Sequence, residues 1–169
     1  FLRDFAKIML VISLFGGFIS VTEGAVPLEV PGTYATIQLA IDAAVSGDTI
    51  NVAAGTYDEI LTIIGTKSNL TFQGAGVDIT ILQPSAVPAT GEYDVQIYAS
   101  DTTFTGFTFD FDGAGSRIGS DFMTGIVIGE TGDAGHPEVV IENVTISSCK
   151  VIPADSGVGI IIGKDRDTS

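Results

Sequence analysis

The chain has 169 residues, 45% of them hydrophobic, with no Trp, one His, one Cys and a formal net charge of −14. That length suits one domain or part of one, with enough apolar residues for a core. A surface this negative repels nucleic acid and anionic lipid heads, and it repels polyanionic sugars unless a cation bridges them.

The chain opens on Arg3 and Lys7, followed by the apolar run "IMLVISLFGGFIS" from Ile8 to Ser20. This run is too short to span a bilayer but suits the apolar region of an export signal, and the small residues Gly24 and Ala25 follow it. Residues 1–25 are therefore expected to be a signal peptide, with an uncleaved lipid-facing anchor as the alternative and no other membrane segment. The protein is expected to work outside the cytoplasm: extracellular, periplasmic or at the cell surface. Residues 26–32 hold Pro27 and Pro31 and read as an extended linker. Thr33 or Thr36 can cap a helix. Tyr34, Ile37, Ile41, Ala44 and Val45 then share one helical face, and Gly47 stops it. "DTINVA" alternates as a strand, Gly55 marks a turn, and "ILTII" is a second short strand.

From here the chain repeats itself. "SNLTFQG" (Ser68 to Gly74) matches "SDTTFTG" (Ser100 to Gly106) at an offset of 32, and "PEVVIEN" (Pro137 to Asn143) fits loosely at a further 37. Gly74, Gly106 and Asn143 then become equivalent corners, since Gly and Asn best tolerate a left-handed backbone. A second series holds "DVQIY" (Asp94), "GIVIG" (Gly125) and "GVGIIIG" (Gly157). Repeats of this length indicate a solenoid or a propeller. Short strands joined by single-residue corners favour a coil of parallel strands, because a propeller needs two-residue hairpin turns. Leu70, Phe72, Phe104 and Val140 should stack inward. The segments 83–93, 112–122 and 130–138 should leave as loops. A coil of strands ends in an open apolar cross-section with unpaired edges. The short helix is expected to cover it, with Tyr34, Ile37, Ile41 and Val45 facing down.

The stretch Tyr34 to Leu82 carries a resemblance. Thr36-Ile37-Gln38, Ala40-Ile41-Asp42-Ala43-Ala44, Gly47-Asp48-Thr49-Ile50, Val52, Gly55-Thr56-Tyr57, Glu59 and "LTFQGAGVDITIL" resemble the N-terminal turns of the pectin-lyase-like β-helix superfamily, pectinesterase-like members included. The resemblance implies an all-β fold, a right-handed parallel β-helix with a short N-terminal capping α-helix. It implies an exported protein that binds or processes extracellular polysaccharide, as an esterase, lyase or glycoside hydrolase if it is an enzyme. The matching residues build the cap and first turns. The pectinesterase set of a Gln pair, two Asp and an Arg is not evident: Gln96 lies in a strand without its partners. The chain begins at Phe1 and ends soon after the strand-like "GVGIIIGK". Residues 26–169 are thus expected to be the N-terminal part of such a domain, with catalytic residues beyond it. The alternative is a non-catalytic cell-surface or adhesion scaffold on the same solenoid, with surface components as partners.

Few side chains suggest chemistry directly. Asp110, Asp112 and Asp121 lie beside glycines in "DFDGAGSRIGSD", where carboxylates can wrap Ca2+, although the spacing is not that of an EF-hand. A solvated acidic loop is the favoured reading of the same residues, and no other cofactor is indicated. His136 and Arg117 read as loop residues. Asn69 and Asn143 lie in glycosylation sequons, though Asn143 also suits a corner. Asp58 and Glu59 are adjacent, so a strand would point them to opposite faces. Cys149 reads as a buried, inert strand thiol.

Overall fold

The computed structural model describes residues 26–86, 93–112, 123–129, 141–153 and 159–162. Residues 1–25, expected to be a signal peptide, and Arg117, Asp121, His136 and Val140 lie outside these residues.

Strand formation starts earlier than the prolines suggest. β1 (Leu28–Val30) is not a linker: it pairs in parallel with β2 (Thr49–Val52), Leu28 opposite Ile50 and Val30 opposite Val52. Leu28 and Val30 point inward while Glu29 points out, so even three residues show the period of two. Between the two strands runs α1 (Ile37–Ala43).

The chain then cycles through three faces. β2 is followed by β3 (Gly55–Tyr57) and β4 (Leu61–Ile63), then by β5 (Thr71–Gly74), β6 (Thr80–Leu82) and β7 (Tyr93–Ile97). β8 (Thr103–Thr105), β9 (Thr108–Asp110) and β10 (Met123–Ile128) make the third circuit, and β11 (Thr145–Ser147), β12 (Lys150–Ile152) and β13 (Ile160–Ile162) the fourth. Every third strand joins the same sheet. Sheet A has the order β1-β2-β5-β8-β11, sheet B β3-β6-β9-β12 and sheet C β4-β7-β10-β13, with all pairings parallel. This is a parallel β-solenoid, as the strand-and-corner pattern predicts.

Its interior is built from columns. In sheet A, Leu28, Ile50, Phe72, Phe104 and Ile146 follow one another inward. The Phe72 and Phe104 rings stack with centroids 4.2 Å apart and planes 8° from parallel. Phe107 and Phe109 pack edge-on to Phe104, each with its centroid 5.6 Å away. Sheet C contributes Leu61, Val95, Ile126 and Ile160 at one level. The expected series "DVQIY", "GIVIG", "GVGIIIG" is thus a run of neighbours in one sheet.

Two expectations about the third repeat are corrected. The next residue in the Phe72–Phe104 column is Ile146, in the position assigned to Val140. Asn143 is not the equivalent of Gly74 and Gly106. With φ of 57° it matches Asn69 (58°) and Asp101 (57°), the corner that leads into sheet A. Asn143 Nδ2 donates to Asp101 Oδ1 at 2.9 Å across that corner. Gly74 and Gly106 instead lie where sheet A ends, and Ser148 (φ 51°) succeeds Gly106 there. Asn and Gly both accept a left-handed backbone, so the residue types alone did not separate the two corners.

α1 seals the first turn. Thr36 is its N-cap, with Oγ1 accepting from Leu39 N at 3.1 Å. Ile37, Ala40, Ile41 and Ala44 are buried, and the helix packs on β1, β2 and β4. Tyr34 is half-buried against the same core. Val45, expected on this face, is instead 62% exposed. The helix ends at Ala43, and the chain at Ala44 is already extended (ψ 151°), which turns the next side chain outward.

Candidate functional site

Strand alternation and in-register pairing give sheet A an ordered outer face. Thr49, Thr71, Thr103 and Thr145 are successive partners and form one outward column. Glu29, Asn51, Gln73, Thr105 and Ser147 form a second. Rungs repeat about every 4.8 Å, and the columns lie about 7 Å apart, two residues along each strand. All nine side chains are polar and partly or fully exposed. Glu29, Asn51, Gln73, Gly74 and Ala75 also line a shallow groove of about 250 Å³. Asn51 Nδ2 donates to Glu29 Oε1 at 2.9 Å inside it.

Two glycines meet beside the groove. A Cβ on Gly74 would lie 2.3 Å from the Gly106 carbonyl oxygen, and one on Gly106 would lie 2.7 Å from that of Gly74. Gly106 also has φ of 74°, a conformation that further excludes side chains.

Chemically, the columns present hydroxyls and amides, which donate and accept hydrogen bonds equally. Glu29 is the one ionisable group in them. The face is suited to hydrogen-bonding a polar, extended molecule.

Acidic groups elsewhere are held by the fold. Glu59 accepts from Ile37 N at Oε1 and from Gln38 N at Oε2, both at 3.0 Å. With Thr36 it satisfies three of the helix's leading N–H groups, where a negative charge also suits the helix dipole. Asp58 turns the other way and accepts from the Ser85 backbone N–H and hydroxyl. The neighbouring carboxylates thus diverge. Near Glu59, the Tyr57 hydroxyl donates to Ala53 O at 3.0 Å. Burial first, then the Glu59 charge, raises the phenol above its ordinary pKa of 10.0.

A buried polar group on sheet C was not anticipated. Asp94 and Gln96 point away from the core on β7, yet they are 0% and 6% exposed. Asp94 Oδ2 accepts from Gly125 N at 3.1 Å, on the next rung. Gln96 Oε1 accepts from Tyr98 Oη at 2.7 Å, and its Nε2 donates to Tyr93 O at 3.3 Å. The pattern Asp-x-Gln-x-Tyr was the available signal, since alternate residues share a face. Gln96 has partners, but they lock its amide in place.

Of the calcium candidates, Asp110 ends β9 and Asp112 follows two residues later. Both Asp110 oxygens accept N–H donors: Gln83 Nε2 at 2.8 Å and Asp112 N at 3.1 Å. Asp121 lies outside the described residues. Among the described residues, no group of three or more His, Cys, Asp or Glu side chains could hold a metal ion. Cys149 is half-buried in the corner between β11 and β12, not within a strand, and burial raises its thiol pKa.

Cationic groups are committed as well. Among the described residues the cations are Lys67 and Lys150. Lys67 Nζ donates to Asp42 O and Ala44 O at 2.8 Å, closing the C-terminal end of α1. Lys150 Nζ meets Asp78 Oδ1 at 2.9 Å. Among the described residues, no helix is long and apolar enough to cross a membrane. No known family model matches the chain, and no curated protein matches it.

Proposed function

We propose that this is an exported β-helix protein of the pectin-lyase-like kind, which binds extracellular polysaccharide along the outer face of sheet A. The observation that carries the reading is the double column. Four threonines in register, beside Asn51, Gln73, Thr105 and Ser147, repeat the same polar group from turn to turn. A polymer of repeating sugars meets such a face with one set of contacts per rung. Each hydroxyl–hydroxyl bond adds little, about 1 kcal/mol, so affinity comes from repetition. The apolar run Ile8 to Ser20, preceded by Arg3 and Lys7, supports export.

Binding is favoured over processing by the state of the described carboxylates. Asp58, Glu59, Asp94 and Asp110 each accept hydrogen bonds that hold the coil together. The same observation favours a second reading, a non-catalytic surface scaffold whose solenoid displays other parts of a larger assembly.

The test is a pull-down of the purified protein on insoluble polysaccharides, repeated with Thr71→Val/Thr103→Val. This pair removes two hydroxyls mid-column at nearly constant volume. The expected result is retention of the parent protein and at least about tenfold weaker binding by the variant at an unchanged melting temperature. Equal retention of both proteins removes sheet A from the reading. No retention of the parent on any polymer leaves the scaffold reading.

A further inference from the structure

We infer that the polysaccharide held on sheet A is neutral, a polymer of uncharged sugars rather than of uronates; this inference rests on the proposed sugar binding. It comes from where the charges of the fold lie.

The two columns contain one ionisable side chain, Glu29, and it is negative. The corner that feeds sheet A adds negative charge along its length. Asp48 precedes Thr49, Asp101 lies two residues before Thr103, and Glu142 three before Thr145. Asp101 and Glu142 are exposed. One described cation lies near them: Lys67, bonded to the neutral Asp42 and Ala44 carbonyls, keeps its charge and offsets one of the four negative groups Glu29, Asp48, Asp101 and Glu142, while Lys150 is paired with Asp78. The chain as a whole carries −14.

A uronate polymer brings one carboxylate per sugar. Two like charges 4 Å apart in water repel by about 1 kcal/mol, and the effect reaches about 8 Å at physiological salt. Repetition, which strengthens a neutral ligand's binding, would multiply this repulsion. No group of three or more His, Cys, Asp or Glu side chains that could hold calcium by itself forms among the described residues, so a calcium bridge would draw most of its ligands from the polymer. A neutral sugar meets no such penalty. Its hydroxyls match the Thr, Asn, Gln and Ser groups, and its C–H faces match the threonine methyls.

The closing experiment measures binding to mixed-linkage β-glucan, xylan freed of acidic side groups, and polygalacturonate. Each is run at low and high salt, with and without calcium. The neutral polymers should bind with an affinity that salt does not change. Polygalacturonate should bind at least about tenfold more weakly at low salt, and high salt should narrow the gap by screening. Glu142→Gln, in the corner outside the two columns, should improve polygalacturonate binding and leave a neutral polymer's affinity within about twofold, about 0.4 kcal/mol. Tighter binding of polygalacturonate than of the neutral polymers, with or without calcium, overturns the neutral assignment and leaves the sugar reading intact. Binding to none of the polymers overturns the sugar reading itself.

Discussion

Gln38 and Thr62 bond to each other as two neighbouring strands do. Thr62 N donates to Gln38 Oε1 at 2.9 Å, and Gln38 Nε2 donates to Thr62 O at 3.2 Å. Thr62 is the centre of β4, the edge strand of sheet C. A side-chain amide on the capping helix therefore satisfies the backbone groups that an edge leaves open. Gln38→Ala should remove both bonds, at a cost of about 1–3 kcal/mol. The Thr62 amide should then exchange with solvent much faster, while that of Gln96 in the sheet interior should not. Unchanged protection of Thr62 would show that the amide clasp does not guard the edge.

Glu59 caps the helix from the loop between β3 and β4. Glu59→Ala exposes two N–H groups in a partly buried place and should lower stability by about 1–2 kcal/mol. Glu59→Gln keeps one acceptor and should lose less. Urea unfolding midpoints order the three proteins, and a parent-like midpoint for Glu59→Ala would contradict the capping role.

Phe104 is the hub of the aromatic core, in contact with Phe72, Phe107 and Phe109. Phe104→Ala should cost about 3–5 kcal/mol, and Phe104→Leu clearly less. Equal losses in the two variants would mean that ring stacking, rather than volume, dominates.

The two kinds of corner should respond differently. Gly74→Ala drives a methyl into the Gly106 carbonyl and should destabilise by at least about 2 kcal/mol. Gly47 has φ of 93°, and a Cβ there would meet only Asn69 Nδ2, at 3.6 Å. Gly47→Asn would head the corner series of Asn69, Asp101 and Asn143, so its cost should be under about 1 kcal/mol. Thermal melts of the two variants give the comparison, and a Gly74→Ala protein as stable as the parent would refute the close approach.

Asp78 and Lys150 tie the second turn to the fourth. The hydrogen bond from Lys150 holds the Asp78 carboxyl below its ordinary value of 3.8. A depressed value in the folded state means that the tie contributes fully above the ordinary value. Its contribution is lost as pH falls through the lowered one. Both side chains are largely exposed, so the effect is small. Asp78→Asn should lower the melting temperature slightly at neutral pH in low salt, and the difference should vanish in strong acid or high salt. A difference that persists in strong acid would exclude the ion pair as its cause.

The sequence by itself determined the coil. Strands of three to six residues, inward apolar and outward Thr positions, and left-handed corner residues all act between near neighbours. Their pattern survives in one dimension, which is why the Phe72–Phe104 column and the helix face at Ile37 and Ile41 could be read directly. The tertiary structure decided the register of the fourth turn. Turns grow from 22 residues between Thr49 and Thr71 to 32 and then 42, so equal spacing misled. It also decided what the polar residues of the cap do. Gln38, Glu59 and Lys67 look like solvated side chains until the helix lies across the first turn and brings their partners, 20 or more residues away, within reach. The ladder on sheet A depends on both: local alternation turns each threonine outward, and only pairing between turns places the four in line.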